Sequence, residues 1–74
     1  MQETPSENAF IQALAMRVRE LREQSGLSSA EVARRMHMDR GNYTRIETGK
    51  TNPTSLTLYK LSQILKCTVA DFFR

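Results

Sequence analysis

The chain predicts an all-α fold, a compact bundle of five helices, and three observations carry that prediction. Apolar residues recur at three- and four-residue spacing from Phe10 to Leu21 and again from Leu58 to Leu65, which is the helical period. Ser28, Asp39 and Thr68 each stand immediately before a short segment, where a side-chain oxygen can satisfy the orphan N–H groups of a helix start. No stretch alternates apolar and polar residues as a half-buried strand would, and there is no repeat or low-complexity tract. Seventy-four residues make one domain. A chain of this size buries only about 60 % of the surface its unfolded form exposes, enough for helix packing but not for a large ligand pocket.

The segments follow in order. Met1 to about Glu7 is polar and contains Pro5, so residues 1–7 are expected to be a disordered tail, with the domain spanning 8–74. From about Asn8 to Gln24, Phe10, Ile11, Leu14, Val18 and Leu21 define one amphipathic helix, ended by Gly26 as a left-handed cap. Ser28 and Glu31 have the spacing of a capping box, with Leu27 and Val32 as its hydrophobic staple, and open a second helix from about Ser29 to Met36. Met36-His37-Met38 leaves room only for a sharp turn. Asp39 caps a third helix, roughly Arg40 to Glu47, with Met38 and Tyr43 as the staple pair. Gly49 to Pro53 is a loop of turn formers. A fourth helix runs from about Ser55 to Leu65 with Leu58, Leu61 and Leu65 inward. Thr68 and Asp71 form a second capping box, with Cys67 and Phe72 as its staple, before a last short helix over about Val69 to Phe73.

Two short helices across a three- to four-residue turn match the helix-turn-helix, whose second helix enters the DNA major groove. The residues from about Val18 to Phe73 resemble the Xre/Cro-type, phage-repressor-like helix-turn-helix regulators of phages and bacteria. The resemblance is carried by V-A-R-R-M-x-M-D, then Y-x-R-I-E-T-G-K-x-N-P, with Leu58, Leu61 and Leu65 downstream and Asp71-Phe72-Phe73 closing the run. It implies a DNA-binding transcription regulator that works in the cytoplasm, at the nucleoid. Four positions depart from the family pattern. Ser28-Ser29 replaces Ser-Gln, so a short hydroxyl stands where a long amide usually contacts DNA. His37 and Lys66 replace glycines, and Ser55 replaces a leucine, with Leu56 on the next position. Histidine tolerates the left-handed conformation better than most side chains.

Charge agrees with a nucleic-acid partner. The net charge of +3 is modest, but Arg34 to Lys50 holds five basic residues against two acids. A single cysteine, Cys67, rules out a disulfide framework and a cysteine-based zinc site, and reads as a small core hydrophobe. No apolar stretch is long enough for a signal peptide or a membrane span. An enzyme reading fails for want of parts. No histidine pairs with the cysteine, no glycine loop cradles phosphate, and Asp39, Asp71 and Glu31 are spent on helix caps. No cofactor and no metal are expected.

Helix geometry names the DNA-facing residues. With Asp39 as cap, Arg40, Gly41 and Asn42 occupy the first exposed turn, Thr44 and Arg45 the next, while Tyr43 and Ile46 point inward. Arginine best matches guanine O6 and N7, which makes Arg40 and Arg45 the base readers, and Asn42 suits adenine or a phosphate. Gly41 either lets the helix approach the bases or is a tolerated glycine in an exposed turn. The resemblance places Ser28, Ser29, Thr48, Lys50 and Thr51 where the family holds phosphates, although Ser29 also reads simply as part of a cap. It further implies an ion pair between Arg22 and Glu47 that ties the first helix to the third.

Two further expectations concern partners. Once Leu58, Leu61 and Leu65 face the core, Leu56, Tyr59 and Gln63 share the opposite face of the fourth helix, with Phe73 or Phe10 extending the patch. That predicts a homodimer on a near-palindromic stretch of double-stranded DNA. The other reading of the patch is that Leu56 fills the site left by Ser55. A rival function is a protein-binding adaptor of the same fold, coactivator-like or an antitoxin, with a toxin or RNA polymerase as partner.

Overall fold

Ser6 accepts a hydrogen bond from the Ala9 N–H at 3.0 Å and so opens the first helix of the computed structural model, which describes residues 6–74. Four α-helices follow: α1 (Glu7–Ser25), α2 (Ser29–Arg35), α3 (Arg40–Glu47) and α4 (Ser55–Leu65). The fifth predicted helix (Val69–Phe73) is a 3₁₀-helix, not an α-helix. Its Asp71 N–H bonds the Thr68 carbonyl three residues back at 3.0 Å, the tighter pattern expected of so short a run. The sequence expectation of a disordered tail falls partly on residues 1–5, which lie outside the described residues. Glu7 departs from that expectation: the Ser6 cap brings it into α1, where its charge sits at the positive end of the helix dipole.

The caps show which local signals act. The Ser28 hydroxyl accepts from the Glu31 N–H at 3.1 Å, but the reciprocal half of the expected box is absent. The Glu31 carboxylate instead accepts from Arg34 and, at 3.1 Å, from Arg35 Nε one turn on. The Arg34 hydrogen bond, followed by the charges of both arginines and the Arg35 bond, holds the Glu31 carboxyl below the usual carboxylate range. Asp39 has the extended backbone of an N-cap, yet its side chain makes no capping hydrogen bond. The exposed carboxylate stays beside the positive end of α3 and interacts through charge alone. At Thr68 the box is complete, with Asp71 Oδ2 accepting from the Thr68 N–H at 2.9 Å and Thr68 Oγ1 from the Asp71 N–H at 3.2 Å. The Thr68 N–H, followed by the Thr68 hydroxyl, holds the Asp71 carboxyl below the usual carboxylate range.

Each α-helix ends on a left-handed residue: Gly26 at φ 79°, His37 at 57°, Gly49 at 73° and Lys66 at 56°. After α2 the His37 N–H reaches the Arg34 carbonyl at 3.1 Å and the Met38 N–H reaches Ala33 at 2.9 Å, the paired bonds of a Schellman stop. That is how three residues turn the chain from α2 into α3. Two of the four stops carry a side chain in a conformation that costs an L-residue about 1–2 kcal/mol.

The core draws one fully buried side chain from every helical segment: Val18, Val32, Tyr43, Leu61 and Phe72. Leu14, Leu21, Ile46, Leu58 and Leu65 surround them, and Leu27, Met36, Met38 and Cys67 pack against the cluster. Burial of one such side chain contributes about 1.5–3 kcal/mol. It also raises the Cys67 thiol pKa above its ordinary value. Of the two places the sequence left for Phe10, the apolar face of α1 or the exposed patch, the structure gives the second: Phe10 is half exposed and stacks on Phe73 with ring centroids 5.9 Å apart. Periodicity could not show this, since the residue that meets Phe10 stands on another element. Among the described residues no helix is long and apolar enough to cross a membrane.

Candidate nucleic-acid interface

The third helix is held by its inner face. Tyr43 and Ile46 are buried, and Glu47 at the end of the helix meets Arg22 of α1. Arg22 Nε donates to Glu47 Oε2 at 2.6 Å and Nη2 to Oε1 at 3.1 Å, a two-pronged geometry with the side chains 14 % and 9 % exposed. The Tyr43 hydroxyl donates to Glu47 Oε2, and Arg22 Nη1 donates to the Leu27 carbonyl at 3.0 Å. One guanidinium therefore joins α1, the start of α2 and α3. The Glu47 hydrogen bond raises the Arg22 pKa. Burial, followed by that carboxylate, pushes the Tyr43 phenol far above its ordinary value. Among the described residues no buried side-chain nitrogen or oxygen lacks a partner.

The outer face is organised differently. Arg40, Gly41, Asn42, Thr44 and Arg45 are all exposed, on the side of α3 away from Tyr43 and Ile46. Among the described residues neither Arg40, Arg45 nor Lys50 has a carboxylate within ion-pair distance, whereas Arg34 and Arg35 share Glu31. Thr44 Oγ1 donates to the Arg40 carbonyl at 2.9 Å and so holds its hydroxyl against the helix. Beside α3 runs an open groove whose lining includes Asn42, Arg45, Thr51, Asn52, Thr54 and Thr57.

The other predicted positions surround this helix. Ser28 caps α2 through its oxygen, and Ser29 begins the helix, partly buried. The Thr48 hydroxyl donates back to the Thr44 carbonyl at 3.1 Å, so its proton is already used. Lys50 and Thr51 are exposed on the loop after Gly49. On α4, Leu56 and Tyr59 are 59 % and 54 % exposed, with Gln63 also exposed and Leu58, Leu61 and Leu65 buried behind them. Leu56 thus does not fill the site left by Ser55. Phe73 is exposed against Phe10, on the contact between α1 and the closing 3₁₀-helix.

Sequence reasoning missed two residues here. Asn52, read only as a turn former, lines the same groove as Asn42 and Arg45. Gln12 of α1 donates to the carbonyls of Thr48 and Gly49 at 3.4 Å each. No local signal marks a contact across so many residues.

A two-helix unit with its second helix locked by one face and bare, cationic and exposed on the other defines a helix-turn-helix DNA-binding protein. The chain belongs to the HTH_3 helix-turn-helix family, the Xre/Cro type, whose model matches residues 18–72. It is 30 % identical over 57 residues to an uncharacterized HTH-type transcriptional regulator of Archaeoglobus fulgidus, a match covering 77 % of this chain and 81 % of that protein. Its fold is similar to that of the restriction-modification controller protein C.AhdI from Aeromonas hydrophila, with TM-score 0.83 and 29 % identity over 88 % of this chain and 98 % of that one. An HTH_3 family transcriptional regulator from Vibrio cholerae superposes with TM-score 0.82 and 28 % identity, over 92 % of this chain and 38 % of the other. The clp gene regulator ClgR of Corynebacterium glutamicum shares the fold, with TM-score 0.82 and 24 % identity over 96 % of this chain and 72 % of that one. Family and relatives together make this chain a DNA-binding transcription regulator.

Proposed function

We propose that the protein reads a near-palindromic operator as a homodimer, with α3 lying in the major groove of each half-site. The observation that carries this reading is the outer face of α3, where Arg40 and Arg45 project from a buried anchor with no carboxylate within ion-pair distance among the described residues. Each arginine can reach guanine O6 and N7 through two donors. Asn42 suits adenine or a phosphate, and Thr44, its hydroxyl turned back to the helix, offers a methyl to thymine. Gly41 lets the first turn approach closely. The Ser28 oxygen accepts its capping bond, which leaves the hydroxyl proton for a phosphate, and Ser29, Lys50 and Thr51 flank the same helix. Thr48 contributes less, because its proton is engaged.

The dimer reading rests on Leu56, Tyr59 and Gln63, an apolar and neutral strip on the solvent side of α4, with Phe73 as an extension. One small module buries about 600–1,000 Å² on DNA, too little for operator affinity alone, whereas two half-sites one turn apart, about 34–36 Å, double it. Selection from a random DNA library tests the whole reading, because it returns half-site and spacing together. A duplicated inverted motif is expected. Failure to enrich any motif, with no salt-dependent binding of duplex DNA, would favour a protein-binding adaptor. Sedimentation of the wild type and of Leu56→Glu/Tyr59→Glu tests the dimer separately: a wild type monomeric at high micromolar concentration would end it.

A further inference from the structure

Residues 48–53 leave the recognition helix and carry Lys50 and Thr51, yet little holds them. The Gly49 and Lys50 N–H groups bond back to Ile46 at 3.4 Å and Arg45 at 2.9 Å, both within α3. Among the described residues, the only hydrogen bonds joining this loop to another element come from Gln12, whose amide donates to the Thr48 and Gly49 carbonyls. Those carbonyls follow the end of a helix, where acceptors lack intrahelical partners. The fit is close because residue 49 is glycine. A Cβ there would lie 2.7 Å from Gln12 Cδ, and the backbone is left-handed at φ 73°. Two features, conformation and proximity, thus make Gly49 a seat for the Gln12 amide. The stretch of α1 that carries Gln12 is itself anchored: two residues before it Phe10 stacks on Phe73, and five residues after it Arg17 Nε donates to the Asp71 carbonyl at 2.7 Å. Gln12, like Phe10, precedes the region that the family model matches, which begins at residue 18.

We propose that Gln12 is a positioning residue for DNA binding, reaching from α1 to brace the Thr48–Asn52 loop so that Lys50 meets the phosphate backbone. The inference rests on the reading of Lys50 as a phosphate contact. Gln12 does not touch DNA in this account; it restricts the loop before binding, so less ordering remains when the complex forms.

The test uses the full chain with Gln12→Met, which keeps length and removes the donor, Lys50→Ala, and the double variant. Binding to a mixed-sequence duplex is measured by fluorescence anisotropy at several salt concentrations, and amide exchange is measured on the free proteins. Gln12→Met is expected to speed exchange of the hydrogen-bonded Gly49 and Lys50 amides about five- to tenfold. It should raise the Kd about three- to fivefold and flatten the salt dependence by up to ~0.9 of a slope unit, one phosphate contact. In the Lys50→Ala background the Gln12→Met effect on Kd should shrink toward none. Unchanged exchange and Kd in Gln12→Met, with Lys50→Ala weakening binding, would overturn the inference and leave the phosphate reading standing. Penalties that multiply in full in the double variant would overturn it as well. A silent Lys50→Ala would remove the phosphate reading, and with it the contact that Gln12 positions.

Discussion

The two faces of α3 treat charge in opposite ways. Inward, Glu47 is matched by a guanidinium with two prongs and by a phenol, all largely withdrawn from water. Outward, among the described residues, Arg40 and Arg45 have no carboxylate within ion-pair distance, although α3 is only two turns long. Cations without an internal partner, on a helix whose orientation is fixed from behind, are free to exchange their hydration for phosphates and base edges. An arginine already paired, as Arg34 is with Glu31, would first have to give up that partner. The difference teaches that pairing state separates the charges that hold this helix from those left available to a partner.

The comparison breaks most visibly at Arg22. Arg22→Ala strands the Glu47 carboxylate and should cost about 3–5 kcal/mol, a large share of the stability of so small a domain. Urea unfolding would measure it, and a loss below about 1 kcal/mol, typical of a surface pair, would show that the inner face is no anchor. Glu47→Gln, which keeps the shape, should lose less than Glu47→Ala.

Tyr43→Phe comes next, at about 1.5–3 kcal/mol for a lost hydrogen bond to a charged acceptor. It also carries a pH signature. Tyr43 keeps its proton in the folded chain to higher pH than in the unfolded chain, where the ordinary value is 10.0. Its contribution is therefore complete below about pH 10 and lost as pH rises above that, since the unfolded state releases a proton that the folded state retains. The free energy of unfolding, measured from pH 8 to 11, should fall more steeply for the wild type than for Tyr43→Phe.

Changes on the outer face should do the reverse. Arg40→Ala and Arg45→Ala should each lose about 1–3 kcal/mol of discrimination at one base pair per half-site, while stability moves by no more than about 0.5 kcal/mol. Competition against single-base operator variants measures the first and urea unfolding the second. Parent-like selectivity in both variants would put the reading surface elsewhere.

Lys66→Gly touches neither face and is the smallest change. Relief of the left-handed strain, offset in part by the added freedom of the unfolded chain, should stabilise by about 0.5–1 kcal/mol. At about 4–8 °C per kcal/mol, a thermal scan would resolve it, with DNA affinity unchanged. A loss of affinity there would mean that stability and reading are not separable as the two faces imply.

Much of this architecture is legible in the amino-acid order. The α2 and α3 boundaries follow from Ser28, Asp39 and the turn at His37, and the α4 boundaries from its leucines. Tyr43 and Ile46 inward, with Arg40 and Arg45 outward, follow from the helical period alone. Other readings failed where one group had a choice of partners. Glu31 has the spacing of a capping box, but two arginines one turn on compete for its carboxylate. Asp39 stands at a helix start without bonding to it, and the last segment winds as 3₁₀.

By itself the sequence determined where helices start and stop, which face of each is apolar, and that a cationic surface belongs to α3. Each depends on atoms within about four residues of one another, so neighbours along the chain are neighbours in space. Only the tertiary structure decided that Phe10 lies on Phe73 at the surface, that Arg17 meets the Asp71 carbonyl, and that Gln12 reaches the loop after α3. Those partners stand on different elements. Which of them meet depends on how the five segments share one core, a property no local stretch of residues contains.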